Sequence, residues 1–380
     1  MKFLGRWQLR EWRVTTTHMG SFSRSVKTFL GLSALLFVAA LAVPAEAETL
    51  FAENSPWNII IPAKATRGSA AIAAGLPVGL DTWDPEGYWD VPFHQAKASD
   101  PQVRLLYNPS AWSVVYVGAW RRSHNSAAVE AEILSTSSPH FPHPGNVFSS
   151  TSTSGWTMPA SYNALNDSPS SGEMVRVPAF GASPAIGADG HMVVRQPSGL
   201  MLETYATIVL SDGTLVALSY SLTDPNSLGD GWQRGQTASM LPSYAGAIID
   251  SEIETGIDHA MAITVPPRLL APKFSYPAYA FDRDALTNDT PYSGNLPMGA
   301  RLALPADLDI DRLGLLTEAG RAIAVAGRRH GFIIVDRGGE GVTIRVRPTG
   351  NPTQPKLHAY HPILSADLSK IMANVVAVSF

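Results

Sequence analysis

Two turn signals between strand-like segments constrain the fold of this chain more than any other feature. Pro197–Gly199 and Asp212-Gly213 each interrupt a run rich in β-branched and apolar residues. Such runs favour strands, and Asp-Gly is among the strongest two-residue hairpin signals. The pattern therefore predicts a three-strand antiparallel meander over residues 191–222.

Helical periodicity, by contrast, is limited to two segments. An apolar stripe that includes Leu313 and Leu316 predicts one helix over residues 312–330, and a second, short helix is predicted over residues 366–373. Short strand-like segments account for much of the remainder. We therefore expect a mainly β fold, with an antiparallel β-sandwich or jelly-roll-like core, one or two helices and long loops.

The N-terminal segment has the three parts of a cleavable export signal. Arg24 and Lys27 precede an apolar run over residues 29–43, and a small-residue cleavage site follows, ending at Ala47. The apolar run is shorter than the ~20 residues that a transmembrane helix needs. We expect residues 1–47 to be a signal peptide, and the mature protein to be secreted or periplasmic.

The composition after this segment bounds the partners. The chain has 28 basic and 32 acidic residues, of which six and two precede residue 48, so the mature chain carries 22 and 30 and a net charge of −8. An acidic balance argues against nucleic acid. The absence of cysteine excludes disulfides and thiolate-bound metals. We expect no cofactor, and no membrane span after signal cleavage.

The mature chain divides into two regions by its patterning. Residues 48–172 combine short strand-like segments with a long polar stretch, and they predict an N-terminal β/loop region. Residues 173–380 carry the stronger strand signals and the predicted helix, and they predict the main antiparallel β domain.

The first hairpin of the meander predicts which side chains share a sheet face. A three-residue loop at 197–199 pairs residue 193 with 203 and residue 191 with 205, and paired residues share a face. A two-residue turn at Asp212-Gly213 then adds Tyr220 opposite Tyr205. The predicted polar face therefore carries His191, Arg195, Glu203, Tyr205 and Tyr220.

These residue types suit acid–base chemistry on a sugar. A carboxylate such as Glu203 beside the imidazole of His191 offers a proton donor and a proton acceptor near neutral pH. An arginine such as Arg195 can neutralise a carboxylate on the substrate. Tyrosine rings, here Tyr205 and Tyr220, give a sugar an apolar platform with a polar tip.

Three residues at strand ends extend the candidate set. His259 follows Asp258 at the start of a predicted strand, and Asp336 ends a predicted buried strand. We expect His259 to approach His191 and Glu203 from a neighbouring strand. Although two histidines and a carboxylate can bind a metal, no HExxH-type spacing is present, so we expect no metal site.

From about residue 187 to residue 347 the chain resembles a family of exported bacterial proteins without a characterised activity. Four short motifs carry the resemblance: DGH with a glutamate beyond the hairpin, IDHA, GAR and HGFIIVD. The resemblance implies no activity. It marks as matching positions His191, Glu203, Asp258, His259, Arg301 and Asp336.

These observations favour a secreted carbohydrate-active protein, and within that class a polysaccharide-degrading enzyme. In a glycoside hydrolase, Glu203 and a second carboxylate, Asp336 or Asp258, flank the scissile bond as acid and as nucleophile or base. The two carboxylates and two histidines among the matching positions favour hydrolysis slightly.

Two alternatives remain open. In a polysaccharide lyase, His191 or Tyr205 removes the proton α to a uronate carboxylate that Arg195 or Arg301 neutralises. In the other alternative the protein is a non-catalytic glycan-binding or envelope-structural protein that uses its Tyr and Trp side chains as sugar platforms. A convergent pocket of the candidate residues favours an enzyme, whereas a flat aromatic strip favours a binding protein.

Overall fold

The computed structural model describes residues 50–68, 71–81, 91–111, 127–139, 173–178, 189–286, 291–347, 357 and 361–380. The predicted signal peptide and most of the polar stretch before residue 173 lie outside the described residues. The described residues all belong to one compact unit, Ala47–Phe380.

The described strands are short, as is usual where turns and loops are frequent. They are β1 (Thr66–Arg67), β2 (Val78–Leu80), β3 (Phe93–Gln95), β4 (Gln102–Tyr107), β5 (Glu173–Arg176), β6 (Met192–Arg195), β7 (Met201–Tyr205), β8 (Ile208–Val209), β9 (Leu215–Ala217), β10 (Ser219–Thr223), β11 (Ile248–Ile249), β12 (Met261–Val265), β13 (Leu270–Phe274), β14 (Leu296–Met298), β15 (Arg301–Ala303), β16 (Phe332–Arg337), β17 (Val342–Ile344), β18 (Val346–Arg347) and β19 (Val376–Ser379). The described α-helices are α1 (Ala127–Thr136), α2 (Glu252–Thr255), α3 (Glu318–Arg329) and α4 (His361–Met372).

Three sheets hold most of these strands, and β11 with β18 and β13 with β14 form two further two-stranded sheets. The large sheet has seven strands in the order β1-β19-β15-β16-β12-β17-β2, the central sheet has the order β10-β7-β6-β3, and the outer sheet has the order β5-β4-β9-β8. The prediction of a mainly β fold is confirmed. Parallel and antiparallel pairs occur together, because β12 pairs in parallel with β16 and β3 in parallel with β6. Strands from both sides of residue 172 thus share sheets.

Separate hydrophobic clusters show how the sheets are stacked. One face of the central sheet packs through Val193 and Met201 against Ala262, Ile333 and Val335 of the large sheet. Its other face packs against the outer sheet, through contacts among Val194, Leu202, Leu105 and Leu215. The far side of the large sheet packs on the helices, where Phe332 and Ile334 meet Ile323 and Leu368. The central sheet therefore lies between two others.

The first hairpin of the meander has the predicted register. Val193 lies opposite Glu203 and Arg195 opposite Met201. The loop closes with a hydrogen bond from Gln196 N to Leu200 O of 2.8 Å, and Gly199 has a φ of 92°. Glycine adopts this left-handed conformation without the steric penalty that a Cβ brings.

The second hairpin has a loop one residue longer than predicted, which corrects the position of Tyr220. Leu210 N donates to Thr214 O at 2.9 Å, so the loop spans residues 211–213 and repeats the geometry of the first. Tyr220 therefore pairs with Thr204 rather than with Tyr205. Because a shift of one residue moves a side chain to the other sheet face, Tyr220 is buried toward the outer sheet, away from Glu203.

The middle segment of the predicted meander, between its two turns, is divided between two sheets. Strand β7 ends at Tyr205 in the central sheet, and β8 begins at Ile208 in the outer sheet. Ala206, with a φ of 51°, makes the transition, and its N–H donates to Asp189 O at 2.7 Å. This bond holds the backbone of Asp189 beside the end of β7.

The helix predicted over residues 312–330 begins later than expected. A 3₁₀ turn at Ile310–Leu313 ends in Gly314, whose φ of 62° breaks the helical path. Helix α3 then starts at Glu318, because the Thr317 side chain accepts from Gly320 N as an N-cap. Leu316 consequently leaves the predicted apolar stripe and is 74% exposed. The second predicted helix is present as α4, with an earlier start.

Candidate functional site

A register shift in the large sheet decides where the Asp336 side chain lies. Ile263 pairs with Ile334, but the next residue, Thr264, pairs with Asp336, so Val335 is an extra residue in β16. Without the shift, Asp336 would pair with Val265, which belongs to the core on the helix side. The shift therefore places Asp336 on the face of the large sheet that meets the central sheet.

The Asp336 carboxylate accepts hydrogen bonds from the backbone and forms an ion pair with an arginine on this face. Its oxygens accept from Ala238 N at 3.3 Å and from Arg337 N at 2.9 Å. Arg345 Nη2 lies 3.6 Å from Asp336 Oδ2. Burial raises the pKa of Asp336 to about 6, Arg345 opposes this rise, and the charge of Asp189 adds to it.

A second carboxyl group, Asp189, lies within the electrostatic field of the same arginine. Burial raises its pKa, and Arg345 partly offsets the rise. The Tyr205 hydroxyl hydrogen-bonds its carboxylate, and Asp282 contributes a further like charge. Asp282 in turn accepts a hydrogen bond from the Tyr292 hydroxyl. Two carboxyl groups with raised pKa values thus lie around one buried guanidinium.

His191 completes this group from the start of the central sheet. Its side chain is buried, and its ring lies 5.3 Å from the Tyr205 ring at a tilt of 51°. Its Nδ1 has no hydrogen-bond partner among the described residues. Burial, with the nearby Arg345 charge, lowers the pKa of His191 to about 3, so the imidazole is neutral at physiological pH. We call Asp189, His191, Tyr205, Asp336 and Arg345 the acid–arginine cluster.

Glu203 lies beneath this cluster and is completely buried, with none of its surface exposed. Its Oε2 accepts from Ser243 Oγ at 2.6 Å, Ser243 N at 2.7 Å and Gln236 N at 3.2 Å. Its Oε1 accepts from Thr223 Oγ1 at 2.9 Å. Burial raises the pKa of Glu203, and these hydrogen bonds oppose the rise. A carboxylate enclosed in this way holds its neighbours in place and does not face a ligand.

Ser243 connects Glu203 to the cluster. Arg345 Nη1 donates to Ser243 O at 3.1 Å, so the residue that Glu203 holds by two hydrogen bonds also positions the guanidinium. Ser243 and Arg345 border a small recess. Phe93 and Arg347 also line this recess, and the guanidinium carbon of Arg347 lies 4.5 Å from the centroid of the Phe93 ring.

His259 was predicted to approach His191 and Glu203, but it contacts other residues. Its Nε2 lies 3.1 Å from Glu252 Oε1, and its Nδ1 is 2.9 Å from Ala260 O. Burial lowers the pKa of His259, but the Glu252 carboxylate outweighs this effect and the net direction is upward. The start of β12 thus carries a separate His–Glu pair.

Asp258 and Arg301 also occupy other surroundings. Asp258 is 74% exposed, lies 2.8 Å from Arg329 Nη1 and contacts His330 Nε2 at 3.1 Å. The Arg301 guanidinium donates to the carbonyls of Pro56 and His330, and it stacks on the Phe380 ring at 5.5 Å. The arginine beside Asp336 is therefore Arg345, and Arg301 is committed to backbone oxygens.

Arg195 shares a face with His191 and Glu203, but it lies at the opposite end of the strand. Four residues of a strand span about 13 Å, so the Arg195 backbone is well separated from that of His191. Its charge acts on the buried Tyr244, whose pKa burial raises. Tyr244 reaches Glu203 through Thr223, since the Tyr244 hydroxyl is 3.0 Å from Thr223 Oγ1.

Three residues of the acid–arginine cluster and its surroundings were not among the predicted site residues: Asp189, Asp282 and Arg345. Asp189 stands in the DGH motif, so its position two residues before His191 was a usable signal. Arg345 stands between Ile344 and Val346 in a strand-like segment, where a cation flanked by apolar residues indicates a buried ionic partner. No local sequence pattern indicates that Asp282 lies near the cluster. The tertiary fold brings it there.

Comparison with protein-family models, with curated proteins and with solved structures found no significant match to this chain. Across the described ranges, no helix is long and apolar enough to cross a membrane. Within the same ranges, no three histidine, aspartate or glutamate side chains are close enough together to hold a metal ion.

Proposed function

We propose that this protein is an exported, polysaccharide-degrading enzyme and that the acid–arginine cluster is its active site. The observation that carries the proposal is the pair of carboxyl groups, Asp189 and Asp336, whose pKa values are both raised around Arg345. Paired carboxyl groups whose environments alter their pKa values are typical of glycoside hydrolases.

Hydrolysis is the reaction that this pair supports best. With a pKa of about 6, Asp336 keeps a protonated fraction near neutral pH and suits the role of general acid toward the leaving glycosidic oxygen. Asp189 then acts as the second carboxylate, as base toward water or as nucleophile. The overall reaction adds the hydroxyl of water to the anomeric carbon and its proton to the leaving oxygen.

Glu203 is not the acid in this proposal. Its complete burial and four hydrogen bonds leave no surface for a sugar. It is a positioning residue, because it fixes Ser243 and through that residue the Arg345 guanidinium. Asp336 therefore takes over the catalytic role that the sequence suggested for Glu203.

Elimination is a second candidate reaction, supported by one specific observation. His191 is neutral, contacts Tyr205 and lies in the field of Arg345. A neutral imidazole can accept the proton α to a uronate carboxylate, while an arginine binds that carboxylate. The glycosidic C–O bond then breaks and leaves a carbon–carbon double bond and a free alcohol. The lowered pKa of His191 makes it a weak base, which ranks elimination below hydrolysis.

The test is to incubate the purified mature protein with a panel of neutral and uronate polysaccharides. Reducing ends and the absorbance of unsaturated uronates are followed together. A rise in reducing ends alone indicates hydrolysis, and a rise in both indicates elimination. Asp336→Asn and Asp189→Asn should each lower the rate by a factor on the order of 10². Asp307→Asn, at an exposed position, is the matched control.

Two outcomes contradict the proposal. The first is full activity in folded Asp336→Asn, which would remove the cluster from the chemistry. The second is the absence of cleavage across the whole panel, which favours a non-catalytic glycan-binding or envelope-structural protein.

Export is the remaining part of the proposal, and it rests on the sequence of residues 1–47. N-terminal sequencing of protein recovered from the periplasm or the medium should give a start near Glu48. Recovery of the uncleaved chain in the membrane fraction would contradict it.

A further inference from the structure

Three aromatic side chains form an exposed group away from the acid–arginine cluster. Tyr276 is 57% exposed, Trp232 is 40% exposed, and Tyr279 is partly exposed beside them. The Trp232 and Tyr279 rings meet edge to face, with centroids 5.9 Å apart and planes inclined at 67°. We call these three residues the aromatic platform. Large aromatic groups left in water usually mark a binding surface.

The backbone beneath the platform is closely packed. Trp232 lies in a 3₁₀ turn, Gly231–Gln233, whose first residue donates to Pro277 O at 2.9 Å. A Cβ at Gly231 would come within 2.9 Å of Tyr279 N, so only glycine permits this approach. The two segments that carry the rings are therefore held against each other, which preorganises the platform for a ligand.

A buried carboxyl group lies under the rings and supplies polar character. Asp230 is 6% exposed and caps the 3₁₀ turn by accepting from Trp232 N at 3.2 Å. Burial raises the pKa of Tyr276 to about 12, and the charge of Asp230 adds to this rise. Burial raises the pKa of Tyr279 as well, and the charge of Asp230 adds to this rise. Both phenols therefore remain hydroxyl groups that can donate and accept hydrogen bonds.

One short backbone segment links the platform to the acid–arginine cluster. Ser239 O accepts from Tyr279 N at 3.0 Å, and Ala238 N donates to Asp336 at 3.3 Å. Because Ala238 and Ser239 are adjacent, their Cα atoms are about 3.8 Å apart. Tyr279 and Asp336 are thus anchored to neighbouring residues of the same segment.

We infer that the aromatic platform binds sugar rings of a polysaccharide chain whose reacting bond lies at the acid–arginine cluster, an inference that rests on the proposed function. Aromatic rings offer an apolar surface to the C–H face of a sugar, and the phenol hydroxyls bind sugar hydroxyl groups. The exposed rings and the adjacent polar groups match this amphipathic ligand. An extended chain uses both places at once, whereas a short oligosaccharide uses only the cluster.

The test is affinity electrophoresis of the whole mature protein. The native gels contain a neutral β-glucan, a galactomannan, polygalacturonate or alginate. At least one polymer should retard the protein, and Trp232→Ala/Tyr276→Ala should raise the Kd for it by about tenfold or more. Trp232→Phe keeps an aromatic ring and should retain most of the retardation. Leu316→Ala, which removes an exposed side chain elsewhere, is the matched control.

Retardation of the double variant equal to that of the wild type overturns the inference, and so does the absence of retardation by all four polymers. Circular dichroism checks the fold of each variant. If the double variant is unfolded, Tyr276→Ala alone, at the most exposed of the three rings, takes its place with the same criteria.

Asp336→Asn separates this inference from the proposed function. It should lower the rate of cleavage by a factor on the order of 10² and leave retardation unchanged, since the platform does not include Asp336. Retardation that depends on Trp232 in a protein that cleaves no polymer would refute the enzyme and retain the binding site. If the double variant cleaves a long polymer at the wild-type rate and is retarded as strongly as the wild type, the enzyme is retained and the binding site is refuted.

Discussion

Arg345 Nη2 lies 3.6 Å from Asp336 Oδ2, and Arg345 Nη1 donates a hydrogen bond to Ser243 O. Its charge also acts on Asp189, where it counters the burial that raises the pKa, and on His191, where it helps burial to lower the pKa. One buried cation therefore influences the protonation of three groups. This relationship leads to predictions that require no knowledge of the substrate.

Arg345→Met should make stability fall more steeply with rising pH. The folded pKa of Asp336, about 6, exceeds the unfolded value of ~3.9, so the folded state binds more protons between these values. The contribution of Asp336 to the free energy of unfolding therefore falls as pH rises through this window. Loss of the arginine raises the folded pKa of Asp336 further, so that this contribution to the free energy of unfolding continues to fall above pH 6. Urea unfolding at several pH values between 4 and 8 measures the slope, and an unchanged slope contradicts the prediction. Arg312→Met, at an exposed position, is the control.

Asp189→Asn should have the opposite effect on the same slope. The charge of Asp189 raises the pKa of Asp336, so its removal brings the folded value closer to the unfolded one. The amide keeps an oxygen that accepts from Tyr205, which limits structural change. The fall in the free energy of unfolding between pH 4 and 6 should shrink, as measured by the same urea titrations. A slope steeper than that of the wild type would show that the two carboxyl groups do not interact as described.

Glu203→Ala should destabilise the protein by at least about 3 kcal/mol, because each buried donor left unpaired costs roughly 1–3 kcal/mol. Glu203→Gln should cost only about 1 kcal/mol, since the amide can face Thr223, whose hydroxyl then accepts. Urea unfolding at pH 7 measures both losses. Glu53→Ala, at an exposed glutamate, should change little. Equal small losses for the two Glu203 variants would contradict the positioning role.

Gly199→Ala and Gly213→Ala should each cost about 1–2 kcal/mol, since their φ values of 92° and 86° place a Cβ in the left-handed region. Gly339→Ala is the control, because no atom lies within 4 Å of its added Cβ and its φ is not in that region. That substitution should be neutral or slightly stabilising. Thermal unfolding compares the three. A neutral Gly213→Ala would contradict the three-residue loop at 211–213.

The β-rich class and the first hairpin could be predicted from local patterns in the sequence. Alternating residues and a glycine that closes a three-residue loop are local signals, so the register of Val193 against Glu203 followed directly from them. The N-cap of α3 at Thr317 and the turn at Gly314 are local signals too, but the prediction followed the apolar stripe and did not use them. Asp212-Gly213 was recognised as a turn, although its length differed by one residue.

Which of the candidate site residues lie close together depends on the tertiary structure. The extra residue of the second loop turned Tyr220 away, and the register shift at Val335 turned Asp336 toward Arg345. Both are changes of one residue, and in a strand with a two-residue period such a change exchanges the two faces. His259 pairs with Glu252 of helix α2 rather than with Glu203. Sheet pairing joins residues distant in sequence, so no local pattern brings Asp189, Asp336 and Arg345 together.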